Sequence, residues 1–199
     1  LGRTIGIYLM IHIGAVLNIA ESFGTVMQNM IELRPSLVVS VPRLFEKIHT
    51  GILSKTESAP PLKKKLFDWS VSVALRAVDY LVQRKTMPLT LKLQYDVADR
   101  LVLSKLRHAL GMDRIRIFIN GGGHLATDID RFFNGFGIAL HNGYGLTETT
   151  PVTNVNTFDC FAFGSVGPAL ADTHIRIASD GEILVKGPQV MKGYFNRPE

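Results

Sequence analysis

Three short apolar runs, each halted by proline or glycine, constrain the fold of this chain more than any other feature. Leu37-Val38-Val39-Ser40-Val41 runs into Pro42, and Ile115-Arg116-Ile117-Phe118-Ile119 runs toward Gly121-Gly122-Gly123. Ile138 to Leu140 leads into Asn142-Gly143-Tyr144-Gly145. Short, β-branched runs bounded by turn residues read as buried strands. Between them the apolar spacing changes to that of helices. Val26, Met27, Met30 and Ile31 recur at helical intervals within 25–33, and Pro35 ends that stretch. Pro42 suits a first helical position, and Leu44, Phe45, Ile48 and Ile52 then share one face. A further helix is expected over about 127–134. Strands alternating with helices predict an α/β fold, a parallel or mixed sheet flanked by helices.

The alternation lapses once. After Pro60 and Pro61 the chain is helix-compatible from Leu62 to about Arg84; Pro88 interrupts it, and a second helix is expected from Leu89 to Leu110, closed by Gly111. Two long helices without a strand between them predict a helical hairpin, over about 61–110, inserted against the α/β body. Beyond Phe163, Thr173 to Ile177 and Glu182 to Val185 alternate around Ser179-Asp180-Gly181, a hairpin turn signal. The expected organisation is therefore an α/β part over 1–158 and the start of a small β subdomain over 159–199. At the N-terminus, residues 4–12 are expected to form a buried helix and Ala15 to Ile19 a strand.

At 199 residues, 46% hydrophobic and 20% charged, the chain can bury one substantial core. Its formal charge of +5 favours anionic partners. The basic residues are scattered and no nucleic-acid-binding motif is present, so no nucleic acid is expected as partner. A single cysteine, Cys160, precludes an internal disulfide and a cysteine metal site. The lack of a disulfide suits a cytoplasmic protein, and beside Phe161 and Phe163 the cysteine is expected to be a small packed side chain. Arg3, His12 and Asn18 interrupt the apolar N-terminus, which falls short of the roughly 20 apolar residues of a membrane span. The chain opens on Leu1 in mid-pattern, and is expected to begin inside a larger protein.

Two glycine turns carry the candidate chemistry. Gly121-Gly122-Gly123 offers a backbone without side chains that a flat ligand can approach, or else a tight turn; no Lys-Ser/Thr follows, so it is not a phosphate loop of the Walker kind. The helix after it can present its N-terminal dipole to an anion. In the second turn Gly143 and Gly145 bracket Tyr144, whose ring can stack on a purine. Thr147 and Thr149 supply hydroxyls for phosphate oxygens, and Glu148 supplies a carboxylate for a magnesium ion bridging phosphates. An ordinary polar surface turn would have the same composition.

The string HNGYGLTETTP is similar to the Y-G-x-T-E motif of the acyl-adenylating superfamily, which includes acyl-CoA synthetases, luciferases and nonribosomal adenylation domains. Three further stretches follow the family's order. VPRLFEKIHTGI at 41–52 is close to the pattern of long-chain fatty acyl-CoA synthetases. NGGGHL at 120–125 resembles the adenine loop S-G-G-A-P-L, with Gly123 in place of alanine and His124 in place of a small residue or proline. GEILVKGPQVMKGYFNRPE at 181–199 resembles G-E-I-x-V-x-G-P-x-V-M-x-G-Y. The resemblance covers essentially the whole chain.

It implies activation of a fatty acid by ATP to an acyl-adenylate, followed by transfer to coenzyme A. It also implies that Tyr144 stacks on adenine, with Asn142, Gly143, Gly145 and the backbone of Gly122 and Gly123 around the nucleotide. Thr147 would bond the α-phosphate and Glu148 would bind Mg²⁺, the two acting as the catalytic pair. Val152, Gly164 and Gly167 would lie near the acyl chain, and His124 would be a pocket wall. The hairpin, with Lys63-Lys64-Lys65 near Phe67 and Trp69, implies the long-chain branch and weak peripheral contact with an anionic membrane. The family's phosphate loop, ribose-binding acid and C-terminal lysine are expected outside these 199 residues, so the chain alone is expected to be inactive. A ligase that loads a carrier protein, and a non-catalytic nucleotide-binding homologue, are the alternative readings.

Overall fold

The computed structural model describes residues 4–197 of the chain, with the backbone alone at Thr4 and Ile5. A turn of π-helix, Thr4–Leu9, leads into α1 (Met10–His12); α2 (Val26–Leu33), β1 (Leu37–Ser40) and α3 (Pro42–Glu57) follow. The inserted hairpin consists of α4 (Pro61–Val82) and a long second arm. That arm is α5 (Leu89–Ala98), a π-helical segment Asp99–Leu103, and α6 (Ser104–Ala109). Then come β2 (Ile117–Asn120), α7 (Thr127–Gly135), β3 (Leu140–Tyr144), a 3₁₀ turn Thr147–Thr149, and β4 (Asn154–Val155). The hairpin β5 (His174–Ile177) and β6 (Ile183–Lys186) completes the order.

The α/β expectation holds, and the sheet is mixed. Its order is β1-β2-β3-β4, with the first three strands parallel and β4 antiparallel to β3. Ser40 pairs with Asn120 and Asn120 with Asn142, so three carboxyl ends stand side by side along one edge. On α3 the residues expected to face inward, Leu44, Phe45, Ile48 and Ile52, are all buried. Phe45 sits 4.5 Å from the Phe118 ring of β2 and 5.4 Å, edge-on, from Phe133 of α7, which clamps α3 and α7 to the sheet. The hairpin docks through Val73, Ala74, Ala77 and Val78 of α4, all fully buried. Small residues allow this: a Cβ on Gly135 of α7 would lie 3.0 Å from the Ala74 carbonyl oxygen. Asp79 and Arg131 close the same helix pair with a two-bond ion pair. The π segment of the second arm is marked by Ser104 Oγ donating to the Asp99 carbonyl, five residues back, at 2.7 Å.

Four sequence expectations are corrected. Residues 4–12 are helical but mostly exposed, with Tyr8, Leu9 and Ile11 on the surface. Ala15 to Ile19 forms no strand, because no neighbouring strand pairs with it; an apolar run becomes a strand only when its backbone groups find partners. Cys160 is exposed rather than packed. β3 does not stop at Leu140 but continues through Asn142, Gly143 and Tyr144, which are strand and not turn. The parallel ladder to β2 and the antiparallel pairs Gly143–Val155 and Tyr144–Asn154 hold them extended.

Candidate functional site

Parallel strands present their carboxyl ends, and the loops that follow, to one edge of a sheet, where α/β proteins hold ligands. Here that edge carries Val41 and Pro42 after β1, Gly121 to His124 after β2, and Gly145 to Glu148 after β3. The Gly121 N–H donates to the Ser40 carbonyl at 3.1 Å, which anchors the glycine loop to β1. Gly122 adopts φ +80°, a conformation that favours glycine. A Cβ there would meet only Val41, at 3.8 Å, whereas one on Gly123 would press on Pro42 at 3.3 Å. Gly122, Gly123 and His124 are exposed, so the loop is an open ledge. The helix behind it, α7, carries Asp128 and Asp130 in its first turn. Two carboxylates in that turn disfavour an anion at the α7 N-terminus, where the sequence reading allowed one.

Asn142 turns its side chain inward. Its carboxamide accepts from Asn120 Nδ2 at 2.8 Å and donates to Asp130 Oδ2 at 2.7 Å. Asn134 Nδ2 donates to the other Asp130 oxygen at 2.9 Å. This buried chain locks the end of β3 to α7 beneath the edge, and the Asn142 carbonyl is engaged as well, accepting from the Asn156 N–H at 2.9 Å. Burial pushes the Asp130 carboxyl up to about 6, with the two asparagine hydrogen bonds opposing the shift. Asn120 Oδ1 and His141 Nε2 are buried without a partner among the described residues.

Tyr144 is half-buried at the strand end, its carbonyl accepting from the Thr153 N–H at 2.8 Å. Gly145 is required by sterics rather than by its torsion: a Cβ would overlap the Pro151 carbonyl oxygen. Thr147 is exposed, but the Thr149 hydroxyl is buried, accepting from the Leu146 N–H and donating to the Pro151 carbonyl, each at 2.9 Å. Thr149 therefore builds the turn and is not a phosphate donor, a correction to the sequence expectation. Glu148 projects from the 3₁₀ turn, and its Oε1 accepts a 2.6 Å hydrogen bond from the Tyr194 phenol. That bond holds the Glu148 carboxyl below the usual carboxylate range and raises the Tyr194 phenol. No group of three His, Cys, Asp or Glu side chains is placed to hold a metal among the described residues. A magnesium ion at Glu148 would thus take most of its ligands from phosphate and water, the usual habit of that ion.

The expected acyl-side residues do not share one recess. Val152 lines a shallow depression of about 330 Å³ with Pro151, Leu170 and Pro188. Gly164 lies near Thr127, 3.5 Å from its Oγ1 by a hypothetical Cβ, and Gly167 is wedged against Val155 and Asn156. Sequence reasoning missed Tyr194, Asn120 and Asp130. Asp130 and Asn134 stand four apart amid Ile129, Phe132, Phe133 and Phe136, an inward polar pair that the helical period could have flagged.

The chain is similar to known proteins over nearly its whole length. The profile of the family described as AMP-binding enzyme matches residues 1–195. A putative fatty-acid–CoA ligase, fadD11, of Mycobacterium tuberculosis is 32% identical over 197 residues, covering 98% of this chain and 34% of that protein. Long-chain-fatty-acid–CoA ligase FadD15 of Mycobacterium bovis is 36% identical over 168 residues, covering 83% of this chain and 27% of its own. Long-chain-fatty-acid–[acyl-carrier-protein] ligase AEE15 of Arabidopsis thaliana is 30% identical over 201 residues, with the same coverage of each chain. Among solved structures, a benzoate CoA ligase from Burkholderia xenovorans superposes with a TM-score of 0.58 at 18% identity, covering 97% of this chain and 32% of that one. The o-succinylbenzoate CoA synthetase of Bacillus subtilis, in complex with its acyl-adenylate, gives 0.53 at 20% identity, over 95% of this chain and 30% of that one. At such identities the likeness shows the fold alone. The chain spans about a third of the length of the curated relatives it matches.

Proposed function

The chain belongs to the AMP-binding enzyme family, and from that premise we propose that it forms part of a ligase activating a long-chain fatty acid for transfer to coenzyme A. The observation that carries this reading is the juxtaposition, at the carboxyl ends of the adjacent strands β2 and β3, of a bare glycine ledge and the Tyr144–Glu148 turn. The ledge of Gly122 and Gly123 admits a flat base to the backbone, and Tyr144 stacks on it. Gly143 and Gly145 keep the backbone on either side of the ring free of side chains. Asn142 contributes by fixing the strand end that carries Tyr144, its carboxamide and carbonyl being engaged in the fold.

Thr147 would donate to the α-phosphate, and Glu148 would hold a magnesium ion, which would supply charge neutralisation at the phosphates. The carboxylate oxygen of the fatty acid forms a bond to the α-phosphorus as the bond to the bridging oxygen of pyrophosphate breaks. The coenzyme A thiol, losing its proton, then attacks the acyl carbon and AMP leaves with the bonding pair. Positioning and charge stabilisation are what this edge supplies to the first step. Val152, Gly164 and Gly167 are assigned to the acyl side. The long-chain preference rests on the relatives' names and on the α4–α6 hairpin. The Arabidopsis relative supports a second reading, in which the acceptor is a carrier protein.

Because the chain spans a third of its relatives' length, it is proposed to be inactive alone. ATP–pyrophosphate exchange by the 199-residue chain with palmitate is expected to stay at background, and measurable exchange would overturn that part of the proposal.

The proposed setting is cytoplasmic, with weak contact at an anionic membrane surface. No helix among the described residues is long and apolar enough to cross a membrane. Between residues 61 and 110, ten Lys and Arg stand against four Asp, so the hairpin carries the chain's positive excess. Leu62 and Trp69 are exposed beside Lys63, Lys64 and Lys65, and Leu89, Leu93 and Val97 form an exposed stripe on α5. Phe67 faces the core and takes no part. Co-sedimentation with phosphatidylglycerol-rich liposomes at low salt is expected and should vanish at high salt. No binding at low salt removes the idea.

A further inference from the structure

Glu148 is gripped at two points by one short segment that follows β6. Its carbonyl accepts from the Met191 N–H at 2.8 Å, and its carboxylate Oε1 accepts from the Tyr194 phenol at 2.6 Å. Between the two donors stands Gly193 at φ +144°, a torsion that side chains disfavour. A Cβ there would touch nothing within 4 Å, so the glycine answers a conformational demand rather than a steric one, in the short span that separates the two donors. Tyr194 is 55% exposed, and burial does not account for where its ring lies.

We propose that Tyr194 is a positioning residue for Glu148, fixing the carboxylate through Oε1 and leaving Oε2 for the metal of a metal–nucleotide complex. This rests on the reading of Glu148 as the magnesium-binding residue. A glutamate on an open turn samples several rotamers, and ordering it on metal capture costs conformational entropy. A hydrogen bond made beforehand removes much of that cost, as partners of metal ligands generally do. A phenol suits the task better than a lysine would, since it orients the carboxylate without cancelling the charge the cation needs. No group of three His, Cys, Asp or Glu side chains is placed to hold a metal among the described residues, so the orientation of this one side chain matters more.

The test is ATP affinity of the chain by calorimetry, with Mg²⁺ and with EDTA, for the parent, Tyr194→Phe, Glu148→Gln and the double variant. Tyr194→Phe is expected to weaken binding by about tenfold in Mg²⁺ and to leave the EDTA value unchanged. Glu148→Gln should abolish the magnesium dependence, and the double variant should be no worse. If Glu148→Gln loses the dependence and Tyr194→Phe keeps it, the role of Tyr194 is overturned and that of Glu148 stands. Equal weakening of Tyr194→Phe in EDTA marks a structural role only and also overturns the proposal. If Glu148→Gln behaves as the parent, or the parent shows no magnesium dependence, the metal reading of Glu148 fails and this proposal fails with it.

Discussion

Replacing Gly145 with alanine is expected to cut MgATP affinity by more than tenfold and to lower the stability of the chain by about 1–3 kcal/mol, the usual cost of overpacking. The new methyl group would fall inside the Pro151 carbonyl and within 2.8 Å of the Val152 Cα. Both obstacles are backbone, so no side chain can swing aside. The Pro151 carbonyl is also pinned by the Thr149 hydroxyl, and the Thr153 N–H is tied to the Tyr144 carbonyl. Relief must come by displacing the turn that carries Thr147 and Glu148. Gly143 is the control, since a Cβ there would make an ordinary contact, 3.4 Å from the Asn154 carbonyl oxygen. Gly143→Ala should leave the urea midpoint close to the parent. Equal midpoints for the two variants would contradict the steric account.

The second large effect concerns pH. Burial holds the Asp130 carboxyl at about 6 in the folded chain, against an ordinary value of 3.8. Below 3.8 both folded and unfolded states are protonated. Between 3.8 and 6 the folded state alone binds the proton, so stability falls as pH rises through this window. The displacement is worth about 3 kcal/mol, fully lost above pH 6. No cation offsets it by contact: Arg131, the neighbour on α7, turns to Asp79 instead. Asp130→Asn should therefore flatten the stability profile between pH 4 and 6.5 by roughly 2–3 kcal/mol relative to the parent, read from urea melts across that range. The asparagine amide will face the donors of Asn134 and Asn142, so its absolute stability falls even as its slope flattens. Parallel profiles for the two proteins would show that Asp130 does not titrate in this window.

Periodicity made α3 legible, because its four inward residues recur where a helix repeats and find Phe118 and Phe133 waiting. It failed at Ala15 to Ile19 and on α1, where side chains predict a wish for burial but cannot say whether this chain supplies the cover. At the site, residue types were readable and directions were not. Asn142 and Thr149 have the right chemistry for a nucleotide, yet strand pairing and turn closure direct both side chains inward. Tyr194 reaches Glu148 across 46 positions, a contact no local pattern announces.

The central claim is that the edge formed by the ends of β2 and β3 binds an adenine nucleotide through Tyr144. Equilibrium dialysis of MgATP against the parent chain and Tyr144→Ala tests it most directly. Base–aromatic stacking of this kind predicts that the variant binds about tenfold more weakly. Equal affinity for the two, with both chains folded, would contradict it.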